Sequence, residues 1–357
     1  MNQAFMIIVA VGAVVGGIDR IRGNKWGYGA KFEEGFLFLG PTALSMAGMI
    51  CLAPVLSDVL GRIIIPLYRM IGADPGMFGS LLAIDMGGYQ LARELAEDAR
   101  IGSYAGIVVA SIFGCTVIFT IPVGMGMIKE QDRGFFAKGI MLGIVTMPVG
   151  LLVGGIFSGF SIVECVRQNL LVFVLSLLLL FGLWKIPERM IRGFCIFAKG
   201  IQCIITIGLV LGAVEYMCGK SLIKGLAPLT EAMEVVSSIG IVMLGSLPAA
   251  EFLQRILKKP FLMIGKRLGM NSVGMTGLLV GMVSAIPAIS MYKDMDEKSK
   301  VVNGAFLVSA ASMLAAHAGF TLSREPELLG ALIGAKLSGA AAAFLLAMVL
   351  FSRGEEK

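Results

Sequence analysis

The stretch Asp74-Pro-Gly-Met-Phe-Gly-Ser-Leu-Leu-Ala-Ile-Asp-Met-Gly-Gly-Tyr-Gln-Leu-Ala92 decides how this chain is threaded. It is apolar and nearly long enough to cross a bilayer, yet it holds a carboxylate at Asp85 and a glycine pair at Gly87-Gly88. A carboxylate at the centre of a crossing helix costs about 2.5–3.5 kcal/mol on insertion scales. Adjacent glycines loosen a helix and leave carbonyls free beside the charge. The run reads either as a crossing with a buried charge or as a hairpin that enters and leaves on one side. A second run at 271–292, broken by Ser284-Ala-Ile-Pro287, poses the same choice.

The surrounding chain says what it is threaded through. Of 357 residues, 57% are hydrophobic before 47 glycines are counted, and only 15% are charged, where roughly 25% is usual for soluble domains. That excludes an ordinary soluble enzyme, a disordered chain and a nucleic-acid binder. The net charge of +6 is dispersed and fits loop charges placed by membrane topology. The fold class is an all-α polytopic membrane protein in the lipid bilayer. Apolar runs fall at 2–18, 34–57, 74–92, 101–128, 139–160, 168–184, 194–218, 234–254, 271–292, 301–321 and 327–351. Nine to eleven of these are expected to be transmembrane helices. Two basic, proline-containing segments, 59–72 and 257–269, read as amphipathic helices at the interface. Basic residues follow the first run rather than precede it, so that run reads as a retained span.

The distribution of lysine and arginine chooses between the two threadings. If all eleven runs cross, the loop charges divide 14 to 15. If 74–92 and 271–292 each enter and leave on one side, the division is 21 to 8, with the rich side cytoplasmic and the C-terminus on it. That threading makes 34–160 resemble 234–351, joined by linking spans in 161–230. Five crossings separate the two units, so they are inverted relative to each other. Sequence agreement between them is thin: Gly72 with Gly269, Leu81-Leu82 with Leu278-Leu279, and Ser111 with Ser309. Inverted repeats with broken helices are an architecture of secondary transporters. Glycine pairs at four-residue spacing, such as Gly12/Gly16, Gly150/Gly154 and Gly208/Gly212, predict closely packed helices.

Candidate binding residues follow from the expense of polar groups in a membrane. Asp85 suits a cationic solute, Tyr89 offers a ring face to a cation and Gln90 an amide to a hydroxyl. Ser284 either faces a solute or satisfies the groups that Pro287 frees. His317, the only histidine, either relays a proton or bonds a neighbouring helix. Asn303, Ser309 and Ser312 share its run and serve more often as helix glue than as ligand contacts. Lys336 lies deep in the last run and is expected to pair with a carboxylate such as Asp85 or Glu251, or to face a wet cavity. No cofactor or metal site is expected. Gly219-Lys220-Ser221 lacks the earlier glycine of a phosphate loop, with Val214 in its place, and Ser158-Gly159 lacks the glycine of a nucleophile elbow.

Several strings carry a resemblance. Phe32-Glu-Glu-Gly-Phe36, Gly72-Ala-Asp-Pro-Gly-Met-Phe78, Asp85-Met-Gly-Gly-Tyr-Gln-Leu-Ala92, Ile186-Pro-Glu-Arg-Met-Ile-Arg-Gly-Phe194, Lys300-Val-Val-Asn-Gly-Ala-Phe306, His317-Ala-Gly-Phe320 and Ile333-Gly-Ala-Lys336 resemble the ethanolamine permease family of the ethanolamine-utilisation system, EutH. The resemblance runs from about residue 32 to 345. It implies uptake of ethanolamine across the bacterial inner membrane, beside ethanolamine ammonia-lyase and its microcompartment. Asp85, Gly87, Gly88, Tyr89, Gln90, Ser284 and Asn303 are then the substrate-binding candidates, and His317 and Lys336 the proton-coupling or charge-pairing ones. The chain departs from the family pattern at Ala316, where an acid often stands, and at Ser284-Ala285, where an Asn-Asn pair often stands. The other readings are a carrier of another polar metabolite such as a nucleoside, an intramembrane enzyme, for which no nucleophile–base motif exists, and a scaffold recruiting a microcompartment. A homo-oligomer is compatible with every one of them.

Overall fold

The computed structural model describes residues 2–82 and 86–354, and among the described residues there is no β-strand. The chain is a multi-pass helical membrane protein. It opens with α1 (Asn2–Ile21), the short α2 (Tyr28–Leu37) and the long α3 (Leu39–Met70). A 3-10 turn, Pro75–Leu82, and α4 (Tyr89–Leu95) follow. Next come α5 (Ala99–Met127), α6 (Glu130–Phe157), α7 (Ile162–Gln168), α8 (Leu170–Lys185) and α9 (Pro187–Cys218). The chain continues with α10 (Leu229–Arg267), α11 (Ser272–Val283), α12 (Ala285–Ser290), α13 (Glu297–Arg324) and α14 (Leu329–Gly354). Eight described helices are long and apolar enough to cross a membrane, or nine if α7 and α8, bent by 57°, make one span. That is the lower end of the expected range. Among the described residues, runs 74–92 and 271–292 hold only short helices, none of them long and apolar enough to count as a span.

One expectation is corrected. Segments 59–72 and 257–269 are not separate interfacial helices. They are the C-terminal ends of α3 and α10, which run through Pro54 and Pro66, and through Pro248 and Pro260. Each proline deletes a single donor from the ladder, and packed neighbours tolerate that in a membrane helix. The fall in hydropathy does not mark where either helix ends.

Glycine sets the helix spacing, as its four-residue pairs predicted. A Cβ at Gly48 of α3 would lie on the Ile205 carbonyl of α9, and one at Gly208 would lie on the Gly48 carbonyl. On α6, Gly139 and Gly143 receive the backbone of α13, while Gly150 and Gly154 receive α14. Backbones at this distance gain dispersion and leave no room for lipid between the helices. The core therefore sits where α5, α6, α13 and α14 meet: Ala99–Met127 and Glu297–Arg324 are the most buried spans in the molecule. Cysteine divides evenly, with Cys51, Cys115 and Cys165 buried and Cys195, Cys203 and Cys218 exposed.

Candidate functional site

Runs 74–92 and 271–292 are each tied at their ends. Gly72 turns the chain out of α3 with a φ of +70, and the Asp74 carboxylate accepts the amides of Gly76 at 2.7 Å and Asp98 at 2.9 Å. Residue 74 begins the excursion and residue 98 ends it, so the segment starts and finishes at one place. Gly79 lies against the backbone of Ala92, which brings the limbs together. In the second run Gly269 turns the chain with a φ of +66. The Asn271 amide donates to the Asp296 carboxylate at 2.7 Å, and the Asn271 side chain donates to the Asp294 carbonyl at 3.0 Å. Asp98, whose amide meets the Asp74 carboxylate, and Asp296, whose carboxylate meets the Asn271 amide, also cap α5 and α13. Arg100 beside Asp98 holds that carboxyl below its ordinary value, while burial pushes the Asp74 carboxyl up against its amide donors.

Both hairpins end in non-helical backbone. Asp85 lies outside the described residues. The residue after it, Met86, is buried and left-handed, with a φ of +72. The left-handed backbone thus falls on a side-chain-bearing residue and not on Gly87 or Gly88, a conformation found mainly where surrounding packing enforces it. At the other tip Ser284 is extended between α11 and α12, and the Gly281 carbonyl accepts the amide of Ser312, itself left-handed. The second hairpin thus meets α13 where that helix breaks, between Ala310 and the π-helical turn Met313–His317. The first hairpin packs on the π-helical stretch Ala105–Gly114 of α5, where a Cβ at Gly106 would press on Tyr89. π-Helical turns are rare and recur at functional sites.

Tyr89 stands at the centre of a polar cluster. Its hydroxyl donates to Glu325 Oε1 at 2.6 Å, and Ser103 donates to the same oxygen at 2.8 Å. Arg93 Nη1 donates to Ser103 at 2.7 Å and lies 3.4 Å from Glu325. Phe320 meets the Tyr89 ring edge-on at 5.3 Å. Arg93, Ser103, Glu325 and Glu327 line a pocket of about 280 Å³. Burial opposes ionisation of Glu325, but hydrogen bonds from Glu327, Tyr89 and Ser103 outweigh it and hold the carboxyl below its ordinary value. Sequence reading missed Glu325 because it lies in the turn between α13 and α14, 236 residues from Tyr89.

The remaining candidates disperse. Gln90 donates to Glu94, one turn along its own helix. Asn303 is buried and donates to the carbonyls of Gly274 and Ser299, joining α13 to the second hairpin, while its Oδ1 has no hydrogen-bond partner among the described residues. His317 is fully buried at the end of the π-helical turn, near enough to Lys336 for the charge to act on it. Glu251 pairs with Arg255 one turn along α10 at 2.7 Å. Lys336 donates to the backbone carbonyls of Ser111, Ser309 and Ala311. A buried ion pair that sequence reading did not foresee, Lys300 with Asp132 at 2.8 Å, joins α13 to the start of α6.

The sequence of this multi-pass bundle was compared with those of known proteins. The family model described as "Ethanolamine utilisation protein, EutH" matches residues 1–350. The chain belongs to that family. It is 40% identical to the "Probable ethanolamine permease EutH" of Listeria monocytogenes, over 100% of this chain and 96% of that one. It is also 40% identical to the Escherichia coli protein of the same name, over 97% and 93%. It is 39% identical to the "Uncharacterized protein YxeR" of Bacillus subtilis, over 95% and 92%. No solved structure matches it. The permease names describe carriers, not enzymes.

Proposed function

We propose that the chain carries ethanolamine, or a close small amino alcohol, across the bacterial inner membrane as a secondary transporter or facilitator. The observation that carries the reading is end-to-end kinship with proteins named probable ethanolamine permease. The chemistry of the Tyr89 cluster agrees with it. A protonated amino alcohol needs an anionic acceptor for its ammonium and a polar partner for its hydroxyl. Glu325 and Ser103 supply both at the pocket. Asp85, two residues before the Gly87-Gly88 pair, takes the ammonium. Asn303, with a buried and unsatisfied Oδ1, suits the hydroxyl better than Gln90 or Ser284. His317 and Lys336 carry proton coupling or charge pairing.

Alternating access moves unit 34–160 against unit 234–351, in the manner of inverted repeats. Paired features support the repeat: Gly76 with Gly274, Gly79 with Gly277, Asp98 with Asp296, Gly106 with Gly304, and Ser111 with Ser309 fall at one constant spacing. The C-terminus lies in the cytoplasm, where ethanolamine ammonia-lyase and its microcompartment would consume the solute. Uptake of labelled ethanolamine into proteoliposomes, with and without a proton gradient, tests the proposal. Saturable uptake that Asp85→Asn and Glu325→Gln both reduce supports it, and gradient dependence assigns coupled transport over facilitation. A folded wild type that moves a nucleoside or another metabolite but no amino alcohol overturns the substrate.

A further inference from the structure

Lys336 is completely buried within α14, where no water reaches its ammonium. The charge is expensive there unless closely coordinated. It donates to the Ser111 carbonyl at 2.9 Å, the Ser309 carbonyl at 3.0 Å and the Ala311 carbonyl at 3.1 Å. Ser111 lies in the π-helical stretch of α5. Ser309 and Ala311 lie where α13 breaks before left-handed Ser312. Ser111 and Ser309 stand at matching positions after the matching caps Asp98 and Asp296. One ammonium from a third helix therefore joins the irregular stretches of two corresponding spans.

Converging backbone carbonyls at helix breaks are the oxygen ligands that coupling cations use in secondary transporters. Such carbonyls need a cation or a donor, because an unsatisfied acceptor in a dry interior costs about 1–3 kcal/mol. Here a side chain supplies it. A lysine near a helix end would reach out to water instead. Gly339 and Gly150 pack against each other beside Ser309, so the helices close tightly round the cage.

We propose that the Lys336 ammonium is a resident cation. It fills, tethered by its own side chain, the carbonyl cage that a free monovalent cation would otherwise occupy between two broken helices, so the protein works without sodium. The inference rests on the carrier reading above for its meaning in transport, but the cage itself does not depend on which solute is carried. Shortening the side chain should open a site for sodium or for a small primary ammonium such as methylammonium.

The test uses the full-length protein. Thermal unfolding of wild type, Lys336→Ala and Lys336→Met in detergent is followed in sodium, methylammonium and N-methylglucamine chloride at constant ionic strength. The wild type should unfold at the same temperature in all three. Lys336→Ala should unfold lower, with a saturable recovery in sodium or methylammonium. Lys336→Met, which fills the space without charge, should unfold lower and stay there. Wild-type uptake, which needs no variant, should run equally in sodium and in N-methylglucamine. A folded Lys336→Ala protein with no saturable cation response overturns the cage, and wild-type uptake that stops without sodium overturns the resident-cation role. Cation recovery of Lys336→Ala alongside a wild type that carries no amino alcohol would refute the substrate and leave the cage standing.

Discussion

The Lys300–Asp132 pair offers the sharpest energetic test of the bundle. Lys300 Nζ lies 2.8 Å from Asp132 Oδ1, with the two side chains only 11% and 6% exposed, and the Phe135 ring is 5.8 Å from the ammonium. The pair joins α13, the helix that follows the second hairpin, to the first turn of α6. Removing one partner leaves a buried charge without its counter-ion, which costs about 3–5 kcal/mol. Removing both leaves two neutral groups of similar shape, a change that is often close to neutral. Asp132→Asn and Lys300→Met are therefore each expected to destabilise by about 3–5 kcal/mol. The double variant should fall well short of their sum and lie nearer to wild type than either. Equilibrium unfolding in mixed micelles, run as a double-mutant cycle, measures the coupling directly. Strictly additive single effects, or an Asp132→Asn protein as stable as wild type, would refute the claim that this pair is dry and mutually dependent.

Three further outcomes follow from named contacts. Asp74→Ala should loosen the first hairpin by about 0.5–2 kcal/mol through loss of its acceptor for Gly76 and Asp98, whereas Asp74→Asn keeps an acceptor, as Asn271 does for Gly274 in the second hairpin, and should lose less; hydrogen exchange across 74–98 reads the difference. Gly48→Ala drives a methyl group into the Ile205 carbonyl and should destabilise by about 1–3 kcal/mol, seen as a lower unfolding temperature. The Asp98 carboxyl is depressed in the folded chain from an ordinary value of 3.8, so its contribution is complete above that value and is lost as pH falls below it. The unfolding temperature of wild type should drop more steeply than that of Asp98→Asn on acidification through that range.

The sequence was legible where the physics is local or one-dimensional. Composition and run length specified a helical membrane protein, and the two runs that the basic loop residues singled out hold only short helices among the described residues. Gly72 and Gly269 were matched from sequence, and both prove to be the left-handed turns that open the hairpins. Ser111 and Ser309 were matched too, and the carbonyls of both accept from one lysine. Hydropathy misled about where two helices end: α3 and α10 continue past the fall in hydrophobicity, and their prolines interrupt single hydrogen bonds without ending them.

Sequence by itself therefore determined the class and the expensive polar residues, because burying a charge or a long apolar run has the same energetic consequence whatever the neighbours are. Only the tertiary structure decided what those residues touch. Tyr89 meets Glu325 because the first hairpin packs against the end of α13, a contact that no spacing along the chain encodes. Lys336 finds carbonyls rather than the anticipated Glu251, because backbone oxygens are present at every residue and become available to outside donors only where a helix breaks. Whether a helix breaks, and which side chain arrives there, is settled by the packing of three spans at once.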